Sequence, residues 1–245
     1  MDEDSFAGLI SEVQDADGLV ARRRALPTSV QAMHGQILGH FGESGGAPSP
    51  EAVRAWATEL GLETRKALLA LVRVDLVQAD AAAAQISTAY PFAAEPRGHQ
   101  VDLEDGPRIQ ACCALDALGI AALLDRDVTV ISHDPHDGVA IRVEVRGGTA
   151  SSEPKETVVA IPSGRSQGAQ AGDCICPTVN LHSSPASARA HAQTHGLTLE
   201  LLTLDQGYTL GAAIFGGLLT ATADTAAAVD GQAATSDPQG PGLTP

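Results

Sequence analysis

Apolar residues in the first part of the chain recur three and four positions apart, the spacing that lines one face of a helix. Val30, Met33, Ile37, Leu38 and Phe41 form the first such run, and the segment from Gly42 to Pro48 ends it. Ser49 then reads as an N-cap with Pro50 at the first helical position, which predicts a second helix through Trp56 and Leu60 that stops at Gly61. A third helix is predicted from Glu63 to Val74. Beyond it the period falls to two: a short strand after Asp75, a turn through Ala81 to Ala84, and a second strand from Ile86 to Tyr90.

Three short helices and a hairpin over residues 29–95 make a winged-helix-like pattern, preceded by an N-terminal arm at 1–28. The remainder, 96–219, alternates short strands with helices. Val101 to Leu103 and Ile109 suggest strand before a helix from Ile109 to Leu124 that is apolar nearly all round and therefore buried. Val128 to His133 and Val139 to Val145 predict a hairpin turning at Asp137-Gly138, followed by a polar loop at 147–155. Thr157 to Ile161 and Cys176 to Leu181 are strand-like, with a Gly- and Gln-rich loop between them. Ser184-Pro185 caps a helix to His195, Leu197 to Leu204 is a strand, and Gln206 to Leu219 a Gly-rich apolar helix. Residues 220–245 lack periodicity and predict a disordered tail. The fold class expected is α+β: a winged-helix-like helical domain, then a mixed core of short, mainly antiparallel sheets packed with helices.

Composition narrows the function. The 245 residues are 44% hydrophobic but only 3% aromatic, so the core must be built from small aliphatic side chains. The formal net charge of −15, from 15 Lys and Arg against 30 Asp and Glu, disfavours attraction to nucleic acid or anionic lipid. Residues 1–95 alone hold 7 basic against 13 acidic groups, so a DNA-binding regulator is disfavoured despite the helix order, and the cluster Arg22 to Arg24 reads as a solvated face. No apolar run approaches the roughly 18 residues of a membrane span, and the acidic start lacks the basic region of a secretory leader. A cytoplasmic protein without membrane partners is the expectation.

The four cysteines fall in two short stretches, Ala-Cys-Cys-Ala-Leu-Asp-Ala-Leu at 111–118 and Gly-Asp-Cys-Ile-Cys-Pro at 172–177. Four are too few for a disulfide scaffold, and in a reducing compartment such clusters point to metal or catalysis. On a helix, Cys113 and Asp116 share a face, so a thiol and a carboxyl meet in an apolar setting where an acid needs a partner or a task. A position in the first helical turn would lower the Cys113 pKa through the helix dipole. The bland alternative is that Cys112 and Cys113 are small core residues. The spacings are not those of paired zinc ligands; softer ions that accept two or three thiolates fit better. His133, His136 and His182 could approach the sulfurs but carry no distinguishing signal.

Cys-Ala-Leu-Asp-Ala-Leu at 113–118, followed 63 residues later by Cys176 in Cys-Pro-Thr-Val-Asn-Leu-His-Ser-Ser, resembles the alkylmercury lyases, over a span from about residue 29 to 219. Val-Ile-Ser-His at 130–133 falls where that family has a similar strand. The resemblance implies an organomercurial lyase acting in mercury detoxification and resistance. Cys113, Cys176 and Asp116 would be catalytic, Cys113 and Cys176 would hold the Hg(II) product, and Cys112 and Cys174 are further candidate ligands or mere packing. No organic cofactor is implied, and the partners would be an organomercurial substrate and, as Hg(II) acceptors, mercuric reductase or cellular thiols. Two departures stand out: Asp134 occupies a place where the family often carries a cysteine, and Leu181 and His182 stand where familiar members have aromatic residues. A non-catalytic thiolate metal-binding or metal-sensing protein of the same fold is the alternative.

Overall fold

The computed structural model describes residues 1–15, 18–163 and 175–219. Cys174 and the expected tail at 220–245 lie outside them. Eight helices are described: α1 (Glu3–Gln14), α2 (Leu19–Arg24), α3 (Thr28–Ser44), α4 (Pro50–Glu59), α5 (Thr64–Arg73), α6 (Ala114–Leu124), α7 (Pro185–His195) and α8 (Leu204–Phe215). The strands are β1 (Val77–Asp80), β2 (Gln85–Ala89), β3 (Phe92–Ala93), β4 (His99–Leu103), β5 (Arg108–Ala111), β6 (Val128–His133), β7 (Ala140–Arg146), β8 (Thr149–Glu153), β9 (Val158–Pro162), β10 (Asn180–His182) and β11 (Leu199–Thr203). The α+β class holds. Neighbouring strands pair antiparallel throughout, in an eight-stranded sheet of order β1-β2-β3-β5-β4-β6-β7-β8 and a three-stranded sheet of order β10-β9-β11.

The larger sheet is longer than the short sheets expected, because the β1–β2 hairpin does not end as a free wing. Through β3 it joins β5, so strands from both sides of the 95/96 boundary share one ladder. The residues that patterned α3 are its buried face: Met33, Ile37, Leu38 and Phe41 are fully inaccessible, and the Phe41 ring stacks on Phe92 of β3 with centroids 5.4 Å apart. The Ser49 hydroxyl accepts from the Ala52 amide at 3.2 Å, which caps α4 as its sequence predicts.

Several local expectations are corrected. The N-terminal arm carries helices α1 and α2 and is docked, since the Met1 ammonium donates to the Leu201 carbonyl at 2.9 Å and Arg22 reaches the Val74 carbonyl at 2.8 Å. Arg23 does not belong to a solvated face: it is 1% exposed and donates to His34 Nδ1 at 3.2 Å and to the Gln31 carbonyl at 3.0 Å. The polar loop at 147–155 contains edge strand β8, whose alternate residues are exposed and which pairs with β7 by backbone hydrogen bonds that need no apolar pattern. The long helix from Ile109 is instead strand β5 followed by α6, and the strand-like stretch at Cys176 opens with a 3₁₀ turn, Cys176–Thr178, before β10.

Helices α6 and α8 cross with their backbones in near contact. A Cβ on Gly211 would lie 2.8 Å from the Leu115 carbonyl and 2.9 Å from the Gly119 amide, and one on Gly119 would lie 2.4 Å from the Phe215 ring. Only hydrogen fits at these positions, and the glycines that look like breakers in the sequence are what let α6 sink into the core.

Candidate active site

The first half of the site is the start of α6. Cys113 is its N-cap, with extended backbone (φ −153°, ψ −177°), and Asp116 is the third helical residue. At that position a carboxylate can reach back toward the N-cap amide, as in half of a capping box, and the nearby Cys113 N–H favours the Asp116 anion. Cys112 therefore lies in the link between β5 and α6, not on the helix. Its amide donates to the Pro91 carbonyl at 3.2 Å and its thiol to the Phe92 carbonyl at 3.4 Å.

The second half is the 3₁₀ turn that carries Cys176, and backbone hydrogen bonds join the two. The Ala114 amide donates to the Val179 carbonyl at 3.1 Å, and the Val179 amide to the Cys176 carbonyl at 3.2 Å. Strand β10 follows at once, paired with β9 through Leu181 opposite Val159.

These connections bring together the three residues singled out in the sequence. The Cys113 and Cys176 sulfurs and an Asp116 carboxylate oxygen all lie within 4.8 Å of one another. The Cys176 thiol points at Asp116 Oδ2 from 3.7 Å. Exposures are 5% for Cys113, 3% for Asp116 and 7% for Cys176, so the cluster is dry but has a slight opening. Cys112 is buried beside it without joining the triad.

Burial governs the protonation of the site. It pushes the Asp116 carboxyl up to about 7, against hydrogen bonds from Cys113 and Cys176 and the charge of Arg97, which favour the anion. Burial also pushes Cys113 up, reinforced by its contact with Cys176 and by the Asp116 charge. The helix dipole would lower that thiol, but loss of water is the larger effect. Cys112 is raised for the same first reason, then by Asp116 and Cys176. Near neutral pH the Cys113 thiol thus keeps its proton, while Asp116 stands close to half-ionised and can either take up or give a proton. A soft cation entering between the sulfurs would displace the thiol protons, because the thiolate–metal bond compensates for the charge that burial penalises.

The structure also assembles groups that the sequence left unconnected. Asp134 is 1% exposed and accepts from the His136 amide at 2.9 Å and the Ser183 amide at 2.7 Å, with His182 Nδ1 at 3.1 Å. Burial would raise this carboxyl, but the neighbouring Ser187 hydroxyl and those two amides outweigh it and hold it at about 2. The aspartate thus ties the β6–β7 turn to the end of β10. An Asp-Pro-His-Asp-Gly turn carries no mark of so distant a partner.

Comparison with known proteins agrees with this arrangement. The family profile described as MerB, alkylmercury lyase, matches residues 92–216, just over half of the chain. The alkylmercury lyase of Staphylococcus epidermidis (strain ATCC 12228 / FDA PCI 1200) is 29% identical over 123 residues, which are 50% of this chain and 56% of that protein; the match spans little more than half of the relative's length. Among solved structures, the mercury-bound form of MerB2 superposes with a TM-score of 0.68 at 20% identity, covering 89% of this chain and 100% of that one, a likeness of fold. The profile match encloses α6, Cys113, Asp116 and Cys176, and on it the chain belongs to the alkylmercury lyase family.

Proposed function

We propose that the chain is an organomercurial lyase that cleaves carbon–mercury bonds by protonolysis, R–Hg(II) and a proton giving R–H and Hg(II). The observation that carries the reading is the buried convergence of Cys113, Cys176 and Asp116 within 4.8 Å. Mercury is soft, so one thiol binds it with loss of a proton, and the pair of sulfurs pushes electron density toward the bound carbon. The departing carbanion is too basic to leave unprotonated. Asp116, with its pKa near neutrality, takes a thiol proton and delivers it to the carbon as the bond breaks. Two thiol protons are displaced in all: one ends in the hydrocarbon and one leaves the site, with Hg(II) held between two thiolates. No organic cofactor takes part.

Several companion readings follow. The product Hg(II) passes to other thiols, those of mercuric reductase or of the cell, which places the chain in a reducing cytoplasm. Helices α3–α5 with the β1–β2 hairpin serve as a structural winged helix, in keeping with a hairpin that is joined through β3 to the large sheet. Among the described residues no helix is long and apolar enough to cross a membrane.

The test is gas chromatography of benzene released from phenylmercuric acetate by the reduced protein. Cys113→Ser, Cys176→Ser and Asp116→Ala should each lower turnover by about 100-fold or more. Unchanged turnover in any one removes that residue from the mechanism. Hg(II) retained without hydrocarbon would favour the non-catalytic thiolate binder instead.

A further inference from the structure

Four of the eight histidines make ring contacts centred on His191, and two of them, His136 and His182, also meet Asp134. His182 closes β10, His191 and His195 stand one turn apart on α7, and His136 comes from the β6–β7 turn. The ring centres of His182 and His191 are 5.2 Å apart, those of His191 and His195 4.5 Å, and those of His136 and His191 6.5 Å. A zinc–nitrogen bond of about 2.0–2.1 Å puts an imidazole centre roughly 3.2 Å from the metal, so two rings at a tetrahedral angle have centres about 5 Å apart. The two shorter spacings lie near that value, and all three rings border His191, the centre of the group.

Two further observations select metal over simple packing. His182 is 1% exposed, and its Nδ1 faces the Asp134 carboxylate at 3.1 Å; a proton on Nδ1 leaves the Nε2 lone pair as the free donor. That is the carboxylate–histidine arrangement which orients a metal-binding imidazole. His191 Nδ1 is buried with no hydrogen-bond partner, a cost that a cation would remove.

We propose that His136, His182, His191 and His195 form a second metal site, for a borderline divalent cation of the Zn(II) class, with Asp134 orienting His182. The imidazole nitrogens do not yet converge within bonding reach of one point. They close on the ion by rotation of His191, His195 and His136 about their side-chain torsions, while His182 stays fixed. The ion would bolt α7 to β10 and to the β6–β7 turn, and nitrogen ligation separates it from the soft-ion site of the two cysteines.

Isothermal titration of the whole reduced protein with Zn(II) tests this. Cys176→Ser should retain the site, whereas His191→Ala/His195→Ala should lose at least 100-fold in affinity. His195→Ala alone removes an exposed ligand near the end of a helix that alanine suits, so its loss of affinity cannot be ascribed to unfolding. Asp134→Asn should weaken binding by about 10- to 100-fold through His182. Zn(II) affinity unchanged in the double histidine variant, or lost in Cys176→Ser and kept in the histidine variants, overturns the proposal, as does a wild-type protein that takes up no Zn(II) in the micromolar range.

Discussion

Asp116→Asn should make the metal-free protein more stable at alkaline pH and inactive. Asp116 is 3% exposed and titrates at about 7 in the folded chain, against an ordinary 3.8. The folded state therefore binds this proton more tightly than the unfolded chain does. Between these two pKa values the native state holds more protons than the unfolded one, so stability falls as pH rises. The contribution of Asp116 is neutral below about 3.8 and becomes a penalty that is complete above about 7. At 1.36 kcal/mol per pKa unit, the span from 3.8 to about 7 corresponds to about 4 kcal/mol. Asparagine keeps a side-chain oxygen and the shape of the carboxyl but cannot ionise. Urea unfolding of both proteins from pH 4.5 to 8.5, with a non-thiol reductant, should show the variant gaining on the wild type as pH rises, by about 3–4 kcal/mol across the range. A difference that stays constant with pH would refute the assignment of the raised pKa to burial of this carboxyl. A difference of opposite sign would mean that the carboxylate is held as an anion.

Two other substitutions probe the framework. Gly211→Val should lower stability by about 3 kcal/mol or prevent folding, since its side chain would be driven against the Leu115 carbonyl and the Gly119 amide, and thermal unfolding followed by circular dichroism reads the loss. Cys112→Ala removes a buried thiol and its contact with the Phe92 carbonyl, for about 1–2 kcal/mol in the same assay, yet should leave benzene release from phenylmercuric acetate within about twofold, because Cys112 stands outside the triad.

How much of this was legible in the sequence depended on the range of each interaction. The α3 face and the Ser49 and Ser184 caps are local, and their residues appear in the structure in those roles. The residues of the cluster were legible for a different reason: Cys113, Asp116 and Cys176 are chemically uncommon in an apolar context, and the spacing between the first two is local. Their junction was not, because it rests on backbone groups of Ala114 and Val179 whose side chains carry no mark of it. Strand β8 escaped notice because its pairing uses peptide groups and both its faces are partly wet. Arg23 misled for the converse reason. Its sequence neighbours are charged, but its actual partners, His34 and the Gln31 carbonyl, come from the next helix.

The bond between Ala114 and Val179 makes the site a gauge. Peptide groups have no rotamers, so the spacing of the two backbone segments that carry the cysteines is stiff, and only the χ1 torsions of Cys113 and Cys176 are left to adjust the gap between the sulfurs. On the proposed function, substitutions around the pocket would alter which organic group is admitted while the jaw setting stays the same. An inserted or deleted residue between Cys176 and Val179 would reset the jaws without touching Cys113, Asp116 or Cys176.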